Sequence, residues 1–208
     1  VEVGPRDGLQ SEPGVFPTAA KVEFVRRVLA GGLRRVEVAS FVNPKRVPQM
    51  ADAEAVLQAL GAPPPGVHFI GLVLNRKGFE RAVAAGCNEI GMAVVASDTF
   101  NRRNQGVSSD ESIAAWLEIA KAAHAAGVRP QVTIGASFGC PFEGEVPVDR
   151  LVRPPDRHHD AAPVGVLAGE GGLDQRAFGD GPGDLLGRGR ALGAGPGHLD
   201  ELRRAFAV

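Results

Sequence analysis

An arginine and an aspartate stand side by side at Arg6-Asp7, directly after the apolar stub Val1 to Val3 and just before Gly8. A carboxylate there can ligate a hard divalent cation, and the neighbouring guanidinium can hold a substrate carboxylate or a developing enolate oxygen. Two adjacent opposite charges in a turn also make an ordinary exposed ion pair, and the two letters alone favour that plainer reading. Glu37 is the second candidate. It alternates with apolar neighbours in Val36-Glu37-Val38-Ala39, so its side chain is expected on the inner face of a strand. Burial there carries a penalty on the order of several kcal/mol unless a cation offsets it. Arg6, on the neighbouring strand, is the natural partner, and a structural ion pair and a substrate contact stand equally open. Gln10 and Ser40 are polar groups at the same rim, each also readable as an ordinary loop hydrogen-bonding residue. The loop Asn43 to Met50 carries Lys45 and Arg46, cations that suit phosphate binding, although a solvated loop is the commoner outcome.

The remaining residues with metal-ligating or nucleophilic chemistry are fewer. Cys87 follows Gly86 near a helix end and reads as a small buried residue, while Cys140 lies in a loop after a strand. His158 and His159 are adjacent, so in a strand their rings would point to opposite faces and could not share one metal. His68 and His124 fall on strand and helix patterns and read as structural.

Positioning these groups requires βα units. From Val1 to Leu151 short β-branched runs alternate with helical periodicity, the pattern of parallel strands joined by helical crossovers. Strands are expected at Val1 to Val3, Val36 to Ala39, His68 to Leu74, Glu89 to Val95 and Gln131 to Gly135. Helices are expected from a Thr18 cap to Gly31-Gly32, over Asp52 to Leu60, over Gly78 to Ala85, and from Ser109 through Trp116 to Gly127. The polar residues just after each strand then share one end of the sheet, where βα folds keep their chemistry.

Beyond Val152 the character changes. Of 28 glycines and 16 prolines in the 208-residue chain, 12 and 5 lie in the segment from Arg153 to Val208, where no strand-like run occurs and only Leu199 to Phe206 reads helical. A share of about 30 per cent Gly plus Pro belongs with low-complexity sequence rather than a packed α/β core. The chain is therefore expected to divide into an α/β domain over 1–152 and an atypical, poorly ordered tail over 153–208, of the kind a reading-frame change in a GC-rich gene would produce. Lys plus Arg number 23 against 24 Asp plus Glu, which leaves no net field to hold a nucleic acid or an anionic membrane. Two cysteines and no apolar run of membrane-spanning length argue against a disulfide scaffold or a membrane segment. A reducing compartment is expected, the cytoplasm first and the mitochondrial matrix as the alternative, since a targeting segment could lie upstream of Val1.

The motif series Gly4-Pro5-Arg6-Asp7-Gly8-Leu9-Gln10, Ser40-Phe41-Val42-Asn43-Pro44-Lys45 and Val47-Pro48-Gln49-Met50 resembles the opening of 3-hydroxy-3-methylglutaryl-CoA lyases, members of the pyruvate-carboxyltransferase-like barrels. The resemblance continues through Asn75-Arg76-Lys77-Gly78-Phe79-Glu80, Ser97-Asp98-Thr99-Phe100 and Gly139-Cys140-Pro141-Phe142-Glu143-Gly144. It implies a partial (β/α)8 TIM barrel of about five βα units followed by the Gly/Pro-rich tail. It also implies metal-assisted retro-Claisen cleavage of an acyl-CoA substrate to acetyl-CoA and acetoacetate, a reaction of leucine degradation and ketone-body formation. Asp7 would ligate Mg²⁺ or Mn²⁺, Arg6 would contact the substrate carbonyl and stabilise the enolate, and Glu37, Gln10 and Ser40 would shape the pocket.

The sequence departs from the family pattern after residue 152, where the His-x-His pair, the later Asn ligand and the loop with the catalytic Cys have no match. Cleavage by this chain is accordingly expected to be absent. A related Claisen-type acyltransferase or aldolase is the alternative enzyme. A non-catalytic incomplete barrel, associating with a second copy through its exposed sheet edge, is the alternative without chemistry.

Overall fold

The computed structural model describes residues 1–151 and the backbone of Val164–Gly165. Glu2 opens the sheet by bridging in parallel to Val36. A π-helical turn, Gly4–Gly8, and a short helix, α1 (Leu9–Ser11), follow. Next come α2 (Thr18–Ala30), β1 (Arg35–Ser40), a 3-10 turn at Pro48–Met50, α3 (Ala53–Leu60), β2 (His68–Leu72) and α4 (Arg76–Ala84). The series ends with β3 (Glu89–Val95), α5 (Asp98–Gln105), α6 (Ser109–Ala125), β4 (Arg129–Gly135), α7 (Val148–Leu151) and β5 (Val164–Gly165). The strands pair in parallel in the order β1-β2-β3-β4-β5, so the chain is a part of an α/β barrel, as the βα alternation implies.

The main apolar core lies between the sheet and its helices. Val36, Phe69, Ile90, Met92 and Val132 from the strands meet Val25, Leu57, Phe79, Trp116 and Ile119 from the helices. The opposite face carries polar residues in two groups. At the N-terminal ends of the strands Arg35 forms a two-point ion pair with the fully buried Glu89 and reaches Gln131, with His68 Nδ1 3.4 Å from Glu89 Oε2. At the C-terminal ends lie Arg6, Gln10, Glu37 and Ser40, all buried.

Several local expectations change. Thr18 does not cap α2; Pro17 holds the cap position, and the Thr18 hydroxyl instead donates to Asp52 Oδ2 at 2.7 Å. The strand expected to Leu74 stops at Leu72, because Asn75 caps α4 through Oδ1, accepting from Gly78 N at 2.9 Å. Helix α6 does begin at Ser109 as expected, with Ser108 as its cap in a reciprocal capping box with Glu111. Of the apolar residues marking α6, Trp116 and Ala120 are buried, whereas Ile113 and Leu117 are exposed. Among the described residues no helix is long and apolar enough to cross a membrane. The tail 153–208 lies outside the described residues apart from the backbone of β5.

Close packing around Gly71 fixes how β2 sits beneath α4. A Cβ there would stand 2.9 Å from both Cys87 Sγ and Phe41 Cε2 and 3.1 Å from Ala82 Cβ. Gly71→Ala is therefore expected to cost about 1–3 kcal/mol by overpacking, read as a lower urea midpoint with unchanged slope.

Candidate active site

Arg6 is delivered to the sheet's C-terminal end by the π-helical turn, not by a tight loop. The amides of Arg6 and Asp7 both donate to Val3 O, at 3.0 and 2.7 Å, so the turn begins where the first strand stops. Pro5 within it is buried, which anchors the turn on its apolar side. Arg6 is then drawn inward: its Nε donates to Glu37 Oε1 and its Nη1 to Asp7 Oδ1 at 2.7 Å. The Arg6 and Glu37 side chains are 9% and 8% exposed, while Asp7 keeps 39%, so one carboxylate is sealed and the other faces solvent.

Glu37 and Ser40 are three residues apart and would face opposite sides of a regular strand. Both lie on the inner face because β1 carries a bulge. Glu37 pairs with Ile70 and Ala39 with Gly71, which leaves Val38 without a partner in β2; Ser40 then pairs with Leu72, on the same face as Ile70. The Ser40 hydroxyl donates to Gln10 Oε1 at 3.1 Å, tying β1 to α1. The five expected site residues thus form two linked groups at one end of the sheet, Arg6-Asp7-Glu37 and Gln10-Ser40.

Burial pushes the Glu37 carboxyl above its ordinary value of 4.5; the Arg6 guanidinium opposes that shift and the nearby Asp7 charge adds to it. A carboxyl raised in the folded state contributes stability that is present below the ordinary value and is lost as pH rises through the raised one. Stability should therefore fall as pH rises through the window above 4.5, and Glu37→Gln should remove that slope. Urea titrations at stepped pH check this; an unchanged slope in the variant would assign it to another group.

The donor set for a metal is narrow. Asp7 offers one carboxylate with Oδ1 already engaged by Arg6, and among the described residues no group of three or more His, Cys, Asp and Glu side chains could hold an ion. A hard cation needs about six oxygen ligands, so these residues alone do not make a metal site.

Two arrangements at the same end escaped the sequence reading. Helix α5 covers the end of β3, and the loop Ala136 to Glu145 folds onto it, with Phe100 and Phe142 edge to face at 5.6 Å and Arg103 over the Phe142 ring at 4.2 Å. Cys140 is buried in that contact, 2.8 Å from Ser97 Oγ, and Cys87 is buried in the main core, where desolvation pushes its thiol up to about 12. Neither cysteine meets the Arg6 cluster through any described hydrogen bond. The second arrangement is a buried Lys21 on α2, paired with Asp52. The Ser97-Asp98-Thr99 start of a polar run closed by Gly106, and a lysine beside the apolar stripe of α2, were the available signals.

Residues 1–168 match the family model described as HMGL-like. The mitochondrial hydroxymethylglutaryl-CoA lyase of Bos taurus is 45% identical over 146 residues, covering 70% of this chain and 45% of that protein. The (R)-citramalyl-CoA lyase of Chloroflexus aurantiacus is 39% identical over 160 residues, covering 73% and 50%. A solved HMG-CoA lyase from Acinetobacter baumannii, in complex with coenzyme A and 3-methylmalate, superposes with a TM-score of 0.68 at 35% identity, over 72% of this chain and 48% of that one. The chain spans about half the length of the relatives it matches.

Proposed function

Because this chain belongs to the HMGL-like family, we propose that the Arg6 cluster is the acyl end of a lyase site that binds 3-hydroxy-3-methylglutaryl-CoA and supports its retro-Claisen cleavage. The observation that carries this reading is a buried guanidinium held by Glu37 at the C-terminal end of a parallel sheet. In that cleavage the tertiary hydroxyl loses its proton, the bond between C2 and C3 breaks, acetoacetate departs, and the enolate of acetyl-CoA takes up a proton. Arg6, fixed by Glu37, is the fixed donor to the enolate oxygen as charge builds there. Glu37 orients the guanidinium by accepting from its Nε. Gln10 and Ser40 hold the pocket wall by their mutual hydrogen bond.

The family reading includes Mg²⁺ or Mn²⁺ as a Lewis acid, and Asp7 would supply one of its ligands. The described residues do not complete a shell. The expected result follows: the purified chain binds 3-hydroxy-3-methylglutaryl-CoA in a calorimetric titration, Arg6→Met weakens binding by about tenfold or more, and acetoacetate release stays below detection. No binding by the unaltered chain would sink the acyl-CoA reading. Metal-dependent acetoacetate release would show instead that this chain has a complete site. The likeness to the citramalyl-CoA lyase supports a second substrate of the same class, favoured if citramalyl-CoA binds the tighter of the two.

A further inference from the structure

Asp52 occupies the N-cap position of α3, where an aspartate ordinarily bonds the first free backbone amides of its helix. Here it makes no side-chain cap bond. Both carboxylate oxygens are spent instead on α2: Oδ1 pairs with Lys21 Nζ and Oδ2 accepts from the Thr18 hydroxyl at 2.7 Å. Lys21 is only 3% exposed and donates a second bond to Gln49 O at 2.5 Å. Gln49 in turn donates its side-chain amide to Glu12 O at 3.0 Å, at the end of α1, two residues beyond Gln10. The loop between β1 and α3 is thus fastened from beneath by Lys21 and sideways to the end of α1, the helix that follows the Arg6 turn. Val47 and Met50 are buried on its inner side. Lys45 and Arg46, at its crest, are exposed, and no ion pair to either occurs among the described residues.

A buried ammonium placed beneath a loop whose surface charges are left free is a costly arrangement for a connection that only has to join two elements. We propose that Lys21 and Asp52 are positioning residues that lock the loop 43–50 to the Arg6 turn, so that Lys45 and Arg46 meet the phosphates of an acyl-CoA whose acyl end reaches Arg6. This rests on the acyl-CoA reading and adds the phosphate-binding loop and the residues that set its place. Binding energy for the phosphate end depends on the two cations being held before the ligand arrives.

The test uses the full 208-residue chain with coenzyme A as probe. Lys21→Met should speed hydrogen exchange at the Arg46, Val47 and Met50 amides by roughly tenfold, leave the β3 and β4 amides unchanged, and weaken coenzyme A about tenfold. Lys21→Arg should recover most of both effects. Lys45→Glu combined with Arg46→Glu should weaken coenzyme A as much without altering exchange. Should Lys21→Met fail to fold, Thr18→Val, which removes one bond to Asp52, should show the same paired effects at smaller size. Unchanged loop exchange in Lys21→Met, or coenzyme A affinity retained in it while the double charge variant loses affinity, would overturn the positioning role and leave the acyl-CoA reading intact. Failure of the unaltered chain to bind coenzyme A would overturn both that reading and the ligand proposed here.

Discussion

Arg6→Met is expected to destabilise the protein by about 3–5 kcal/mol, because it leaves the Glu37 carboxyl buried without its counter-charge. Glu37 has no second cation to turn to, since its only described ion pair is with Arg6. The loss should be smallest at low pH, where Glu37 takes a proton and the unpaired charge disappears. Urea denaturation at two pH values on either side of the carboxylate range measures it. The double variant Arg6→Met with Glu37→Leu separates pairing from packing: it should regain most of the lost stability, since an apolar pair of similar volume is often as stable as the ion pair it replaces. It should not regain ligand binding. If the double variant bound 3-hydroxy-3-methylglutaryl-CoA like the unaltered chain, Arg6 would be a structural residue and nothing more.

Phe69→Ala should cost a comparable amount, about 3–5 kcal/mol, for a different reason. Phe69 is 1% exposed, faces the helices from the second position of β2, and heads the fully buried side chains by volume. Its backbone amide donates to Asn88 Oδ1 at 2.8 Å, a bond that survives the substitution, so the loss belongs to the ring and the cavity it leaves. The measured drop in urea midpoint should appear without any change in the pH slope assigned to Glu37. A loss below about 1 kcal/mol would mean that α3 and α4 close over the gap more readily than native cores usually allow.

A feature is legible in the sequence where it rests on period and hidden where it rests on accident. The βα alternation and the inward course of Glu37 follow from two-residue and 3.6-residue spacing, and the strand Glu89–Val95 was placed to the residue. The Arg6–Glu37 pair was legible because a buried carboxylate on an apolar strand demands a cation, and only one stood beside it in the topology. The π-helical turn at Gly4–Gly8 was not, since Gly-Pro and Asp-Gly signal turns of many kinds. Helix α5 was missed because Asp98–Gln105 is almost wholly polar and buries Asn101 and Asn104 instead of an apolar stripe. Asn101 is buried at no packing cost because its amide serves Val95 N, Val107 O, Ser108 O and Ser112 Oγ, a network that no spacing announces. The Lys21–Asp52 pair joins residues 31 apart, and a lysine beside the apolar stripe of α2 does not by itself name its partner.

The bulge in β1 makes Val38 a spacer that the active-site face reads like a punctuation mark. Regular pairing that kept Val38 in register would turn either Glu37 or Ser40 away from the Arg6 cluster, whereas deleting Val38 would leave both on that face, with the hydrophobic pattern of the strand hardly altered. An alignment that misplaces a gap within Val36 to Ser40 would therefore exchange a residue of the Arg6 face for a core residue while scoring almost the same. Comparisons of substrate preference among relatives have to be anchored on the Ser40–Gln10 bond rather than on strand numbering.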